Sequence, residues 1–425
     1  AERPPIEQEK PAPADLNKLK TALDGPDWDA ALAQLGSKVV REDSRREQVA
    51  LTSDWKFHQG SLPEDASTVA FDDSQWEKIA LPHTWNARDG QDGGGYYRGD
   101  GWYRLRFPVS SAWVRRQIYL EFDGANRTAE VFLNGSRLGE HRGGFARFRF
   151  DATPLINFDG DNVLAVRVNN GEDDNVAPIS GDFTQFGGLY RGVSLLVTDR
   201  VQIETLDHAS PGVFVRSLKV TPAAAELEVR VKLANRESGT RDVEVRVTIL
   251  DATGTAAGAV RTVEPLAAKS RGEVSQRVSL VRPHLWDGLR DPYLYQVRTE
   301  VLVDGTVRDA LDQPLGVRFF SVDPDQGFSL NGRPMELRGV NRHQDRDGMG
   351  WAIGEAQELE DMALILEMGC NAVRTSHYQQ SPLWYVRANG KVGIVWTEIP
   401  FVNDVVDTPE FFDNRDPLWP RYFMT

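Results

Sequence analysis

Between Met335 and Pro400 the chain reads strand, helix, strand, helix, strand, and each strand ends in polar residues: Asn341-Arg342-His343, Ser376-His377-Tyr378 and Glu398. Leu359, Met362, Ala363 and Leu366 recur at i, i+3, i+4 and i+7, an apolar stripe that a helix lays on a sheet, and Gly369 follows as its C-cap. Asn371–Thr375 is then the next strand. A helical period that switches directly to a short β-rich run, twice in succession, predicts βαβ units on a parallel sheet. Such units build β/α barrels, whose catalytic face is made by the loops after the strands. About three of the eight βα units of a closed barrel are visible before Thr425, so residues 323–425 are expected to form the first part of a TIM barrel.

Upstream the period is two, not 3.6. Over 49–200, short alternating runs (Gln117–Phe122, Glu130–Leu133, Asn162–Val168) are separated by turns, Asn134-Gly135 being a hairpin signal, and the expectation is a jelly-roll β-sandwich. Over 201–322, runs at Glu226–Leu233, Val243–Leu250, Glu273–Leu280 and Tyr293–Val303 fit an immunoglobulin-like sandwich. Residues 1–48, with Pro4-Pro5, Pro11 and Pro13 ahead of two short amphipathic stretches, read as a leader with short helices. A hairpin over 323–334, turning at Asn331-Gly332, leads into the barrel portion. The fold class is multidomain and mainly β, in keeping with 425 residues.

A formal charge of −14 argues against a nucleic-acid partner, whose phosphates call for lysine and arginine. No apolar run approaches the ~20 residues of a membrane span. The single cysteine, Cys370, excludes intrachain disulfides and cysteine-based zinc sites; its place between helix and strand reads as buried packing. A chain that begins at Ala1 is expected to be a mature form or a fragment, and a periplasmic or secreted location is favoured over the cytoplasm.

His343 and His377 each follow a predicted barrel strand, which directs both imidazoles to the mouth of the sheet, within reach of sugar hydroxyls. Taken alone, each is a satisfied structural histidine; matching strand-end positions favour ligand contact. A histidine metal site needs a third ligand at a suitable spacing, which the sequence lacks, and no metal or other cofactor is expected. Arg338 and Arg374 occupy predicted strands, where a guanidinium persists with carboxylate partners, and both read as ion-pair support behind the site. Glu398 ends the third strand. It is either a general acid or base or, the favoured reading, the partner of such an arginine, because no second carboxylate at a comparable strand end completes a catalytic pair. The glycine-rich loop Asn86–Tyr97 lacks the following helix of a phosphate site. Tyr96, Tyr97, Trp102 and Tyr103 are either stacking platforms for sugars or sandwich core. Asp182, in a glycine-flanked loop, taken alone is a turn residue.

The ordered strings Phe71-Asp-Asp-Ser-Gln-Trp76, Leu81-Pro-His-Thr-Trp-Asn86, Gly101-Trp-Tyr-Arg104, Phe132-Leu-Asn-Gly135, Gly187-Gly-Leu-Tyr-Arg-Gly192, Leu337-Arg-Gly-Val-Asn-Arg-His343 and Asn371-Ala-Val-Arg-Thr-Ser-His377 resemble family 2 glycoside hydrolases, especially their β-galactosidases. The resemblance spans about residues 50–403 and implies a jelly-roll sugar-binding domain, an immunoglobulin-like domain and a β/α barrel that hydrolyses β-glycosides with retention. It further implies that His343 and His377 bind the glycone, that Arg374 supports the nucleophile, and that Asp182 and Asn86 reach the sugar from jelly-roll loops. The metal-ligand string of the magnesium-dependent members is not matched by Ile399-Pro-Phe-Val-Asn403.

Family members carry the acid/base glutamate in an Asn-Glu motif after the fourth barrel strand and the nucleophile after the seventh. This chain has no Asn-Glu pair, and retention needs both carboxyl groups about 5–5.5 Å apart. The expectation is therefore the amino-terminal portion of a β-galactosidase, catalytically incomplete as a 425-residue chain and homo-oligomeric in its full-length form. β-Glucuronidase and β-mannosidase are competing specificities, and a non-catalytic carbohydrate-binding protein is the alternative of a different class.

Overall fold

The structure, a computed structural model, describes residues 46–89, 95–176, 183–385 and 394–397. Two sheets form the first sandwich. One is four-stranded, in the order Glu47–Ala50, Val193–Thr198, Gln117–Phe122, Phe148–Asp151; the other is six-stranded, in the order Glu77–Ile79, Trp55–Gln59, Asp100–Phe107, Asn162–Asn169, Thr128–Leu133, Ser136–Arg142. Alternation along each strand sends Trp55, Phe57, Tyr103, Leu120, Phe122, Val131 and Leu164 into one core. Asn134 (φ 52°) and Gly135 (φ 83°) close the predicted hairpin with the two positive φ angles that match strand twist. Because Glu47 pairs with Val197, the sandwich already includes residues assigned above to the leader. The two helical stretches expected before it lie outside the described residues.

Several of the motif strings meet inside this sandwich. Arg104, 1% exposed at its side chain, donates through Nε to Asp73 at 2.9 Å, and Lys56 reaches the other Asp73 oxygen at 2.6 Å. A buried guanidinium is costly unless paired, and here one carboxylate serves two cations while Thr68 O and Ala66 O take further N–H groups.

The second sandwich stacks Val201–Ile203, Ala224–Asn235, Val213–Val220 and Ser270–Val281 against Ala256–Leu266, Arg241–Leu250, Tyr295–Val303 and Thr306–Leu315. Val243, Val245, Val247 and Ile249 are all fully buried, a strict period of two. The sandwiches are joined by Arg46, which donates Nε at 3.0 Å and a terminal nitrogen at 2.6 Å to the fully buried Asp309. A small antiparallel sheet (Phe320–Asp323, Gly327–Leu330, Arg333–Pro334) follows, turning at Asn331-Gly332 as read from the sequence.

The remaining sheet is parallel: Gly339–Arg342, Ala372–Thr375 and Ile394–Thr397. Between the first two runs the helix Glu355–Glu367, which buries Glu358, Met362, Ile365 and Leu366; Gly369 at φ 76° ends it in the left-handed conformation. Val373 packs under that helix with Met362, Leu366 and Cys370, and Val340 lies against the same cluster. By alternation Arg342 shares the face of Val340, whereas Asn341 and Arg374, paired in register, share the opposite one. No helix among the described residues is long and apolar enough to cross a membrane.

Candidate functional site

The carboxyl ends of the first two parallel strands bring His343 and His377 together, ring centroids 5.2 Å apart and nearly perpendicular. His343 is exposed and His377 half-buried, so both imidazoles border open space. Arg374 lies beneath them. It donates to Asn341 Oδ1 at 2.9 Å and Ser376 Oγ at 3.2 Å, and a terminal nitrogen stands 3.3 Å from His377 Nδ1. Phe183, from the sandwich, covers the other side of His377 at 5.7 Å between centroids. The result is an open polar corner with two imidazoles, a guanidinium and an aromatic face, suited to hydroxyl-rich ligands.

Arg342, on the helix-facing side, is the ion pair that sequence reasoning placed elsewhere. Only 4% exposed at its side chain, it grips Asp361 at 2.7 Å, lies 4.0 Å over the Trp384 ring and also donates to Gln380. Arg338 corrects the expectation of ion-pair support. It precedes the strand rather than lying in it, its side chain is exposed, and its backbone N–H is what is held, by Asn371 Oδ1 at 2.8 Å. The strand begins at Gly339, one residue after Arg338, which therefore belongs to the approach.

Asn86 also differs from its expected role. The side chain is in a residue only 2% exposed, and its amide donates to Asp89 at 2.6 Å and Tyr97 O at 2.9 Å. Its oxygen accepts from Gly187 N at 2.7 Å and Asn170 Nδ2 at 3.0 Å. With those four bonds the amide's capacity is filled, and it acts as a bracket between loops rather than an arm toward a ligand. Trp102 and Tyr103 are buried sandwich core, and the Tyr96 hydroxyl, pushed up to about 12 by burial, donates to Gln185 O. Asp182 and Glu398 lie outside the described residues, as do residues 90–94 of the glycine-rich loop.

Sequence reasoning missed how the sandwich grips the barrel portion. Trp351, 1% exposed, sits in the loop after the first barrel strand and packs against Phe145, Phe186, Tyr190 and Tyr378 at centroid distances of 5.3, 5.5, 5.2 and 5.0 Å. Phe145 stacks on Tyr378, next to His377, at 4.2 Å and 4°. Gly350 (φ 54°) lets that loop approach: a Cβ there would lie 2.5 Å from Phe186. A tryptophan in a glycine-flanked string just beyond His343 was the available signal. Burial holds the Glu358 carboxyl above the usual range, against its bond from Ser381 and the charges of Arg342 and Arg191. A cavity of about 1300 Å³ lies away from this corner, between the two sandwiches. Its arginines and lysine are already paired, Arg142 with Glu140, Arg147 with Asp123, Arg149 with Glu121, Lys232 with Asp207 and Arg271 with Glu204. Among the described residues no group of three or more His, Cys, Asp or Glu is placed to hold a metal ion.

Three family models match the chain: the family 2 glycosyl hydrolase sugar binding domain over 49–199, the glycosyl hydrolases family 2 model over 213–318, and the family 2 TIM barrel domain over 322–406. A beta-glucuronidase of Bacteroides fragilis is 41% identical over 310 residues, covering 72% of this chain and 44% of that protein. Beta-galactosidase BoGH2A of Bacteroides ovatus is 33% identical over 346 residues, 80% of this chain and 39% of that protein. Among solved structures, Bacteroides uniformis beta-glucuronidase 2 covalently bound to cyclophellitol-6-carboxylate aziridine superposes with a TM-score of 0.80 at 36% identity, over 84% of this chain and 42% of that one. The chain thus spans less than half the length of these relatives.

Proposed function

Because the chain belongs to glycoside hydrolase family 2, we propose that it supplies the glycone-binding side of a retaining β-glycosidase acting on β-D-glucuronides, with β-D-galactosides as the second reading. The observation that carries this is the His343–His377 corner at the ends of adjacent parallel strands, walled by Phe183 from the sugar-binding sandwich. Imidazole ring nitrogens hydrogen-bond to hydroxyls, and an aromatic face suits the C–H side of a pyranose ring. Arg374, hydrogen-bonded to Asn341 and His377, orients the second imidazole and adds positive charge where a retaining site carries an anionic nucleophile. The two carboxyls of retention are assigned to no described residue.

Glucuronide is placed ahead of galactoside because the beta-glucuronidase relative is 41% identical and the beta-galactosidase relative 33%. The sequence reading had the opposite order. The test is turnover of p-nitrophenyl β-D-glucuronide and β-D-galactoside by the complete enzyme carrying this chain, with His377→Ala beside it. We expect the glucuronide to have the higher kcat/KM and the variant to lose at least about a hundredfold. Preference for the galactoside reverses the order of the two readings, and an unaffected His377→Ala enzyme rejects the site.

A further inference from the structure

Arg191 is a buried guanidinium whose bonds cross from the sandwich to the barrel portion. One terminal nitrogen donates to Phe145 O at 2.8 Å and Asp123 O at 3.3 Å on the sandwich side. The other donates to Gln379 O at 2.7 Å and Gln344 Oε1 at 3.2 Å on the barrel side. Its plane rests 5.0 Å from the Tyr190 ring centre, and the residue is 6% exposed. No carboxylate among the described residues forms a salt bridge with it. A buried cation without an anionic partner is a poor source of stability. What a planar fork offers instead is geometry: it accepts one arrangement of carbonyl groups and few others.

Those carbonyl groups are informative. Gln344 follows His343 directly, and Gln379 is two residues beyond His377. The same guanidinium therefore ties both loops that carry the paired imidazoles to a fixed point on the sandwich. Trp351 completes the hold on the first loop from the apolar side, through Tyr190 and Phe145. We propose that Arg191 is a positioning residue for the glycone site, setting the separation and angle of His343 and His377 from outside the barrel. The proposal rests on the reading of that corner as the sugar site. It assigns the sandwich a part in the reaction that is distinct from touching the substrate.

The experiment uses the whole chain and reads the seven histidines individually by their Hε1–Cε1 resonances in Arg191→Met, with D-glucuronate and D-galactose titrated into each protein. The expected result is displacement of the His343 and His377 signals, with His58 and His284 unmoved, and sugar affinity lowered at least about tenfold. Arg191→Lys, which keeps the charge but not the fork, should displace the same two signals by less. If Arg191→Met does not fold, Gln344→Leu removes one acceptor from the barrel side and is expected to displace His343 first. Unmoved His343 and His377 signals in a folded Arg191→Met protein, or equal shifts of all seven, overturn the proposal. A wild-type chain that binds neither sugar rejects the glycone site, while the resonances still decide whether Arg191 sets the two imidazoles.

Discussion

Lowering the pH from 7 to 5 should destabilise the first sandwich through two half-buried imidazoles. Burial pushes His83 down to about 4; its Nδ1 meets the Tyr103 hydroxyl at 2.9 Å and its ring lies 4.7 Å from Phe57. Burial likewise pushes His141 down to about 4, although a bond with Gly143 opposes it. Its ring is stacked on Phe148 at 4.1 Å, and Nε2 is buried without a hydrogen-bond partner. Protonation would put a charge in both sites and, at His141 Nε2, a donor with no acceptor among the described residues. In the unfolded chain both rings titrate near 6.5. Stability is therefore complete above pH 6.5 and is lost as the pH falls toward the folded value near 4. At pH 5 the unfolded ring is almost fully protonated and the folded ring barely so, a difference of about 2 kcal/mol per histidine and about 4 kcal/mol for the pair.

The window is specific. Asp73 and Glu121 are pushed up by burial, yet their arginine and lysine partners outweigh that and hold both low, so their contribution is lost only below the ordinary carboxylate range. Glu358 acts in the opposite sense, since its raised carboxyl is relieved by protonation, but it belongs to the barrel portion. Thermal unfolding followed by tryptophan fluorescence should show Tm falling by roughly 10 °C between pH 7 and pH 5. His83→Gln combined with His141→Gln should remove most of that slope. A wild-type Tm that is flat over this interval, or an identical slope in the double variant, would refute the reasoning.

Arg46→Met should cost about 3–5 kcal/mol in chemical denaturation, because it leaves the fully buried Asp309 without its cation, and Arg46→Met with Asp309→Leu should recover much of the loss. Gly187→Ala should destabilise by at least about 1–3 kcal/mol, since the new Cβ would sit 2.1 Å from the Trp85 ring and 2.8 Å from Asn170; an unchanged Tm would contradict this packing. Gly332→Ala meets nothing closer than 3.8 Å and should cost only the left-handed backbone at φ 76°, about 1 kcal/mol by the same assay.

Local pattern carried much of the architecture. A period of two over Val243–Ile249, paired residues with positive φ at Asn134-Gly135 and Asn331-Gly332, and the stripe ending at Gly369 are properties of neighbours in the chain, and each element formed where its residues direct. His343 and His377 were legible for the same reason: a strand end fixes where the next side chain goes, and two parallel strands in register bring their ends together. Residues whose meaning lies in a distant partner were not legible. Arg338 and Arg342 look alike in sequence, and only the third dimension exposes one and sets the other against Asp361 and Trp384. Asn86 reads as an open polar loop residue until Gly187 and Asn170, about a hundred and about eighty residues later, arrive to fill its amide. Trp351 and Arg191 are ordinary letters until the sandwich and the barrel portion meet around them. The sequence by itself determined which elements form and which side chains stand at their ends, because backbone propensity and periodicity act over a few residues. Tertiary structure decided which charges are buried, which amides are spent and how the two imidazoles are held, because those depend on contacts that no local rule encodes.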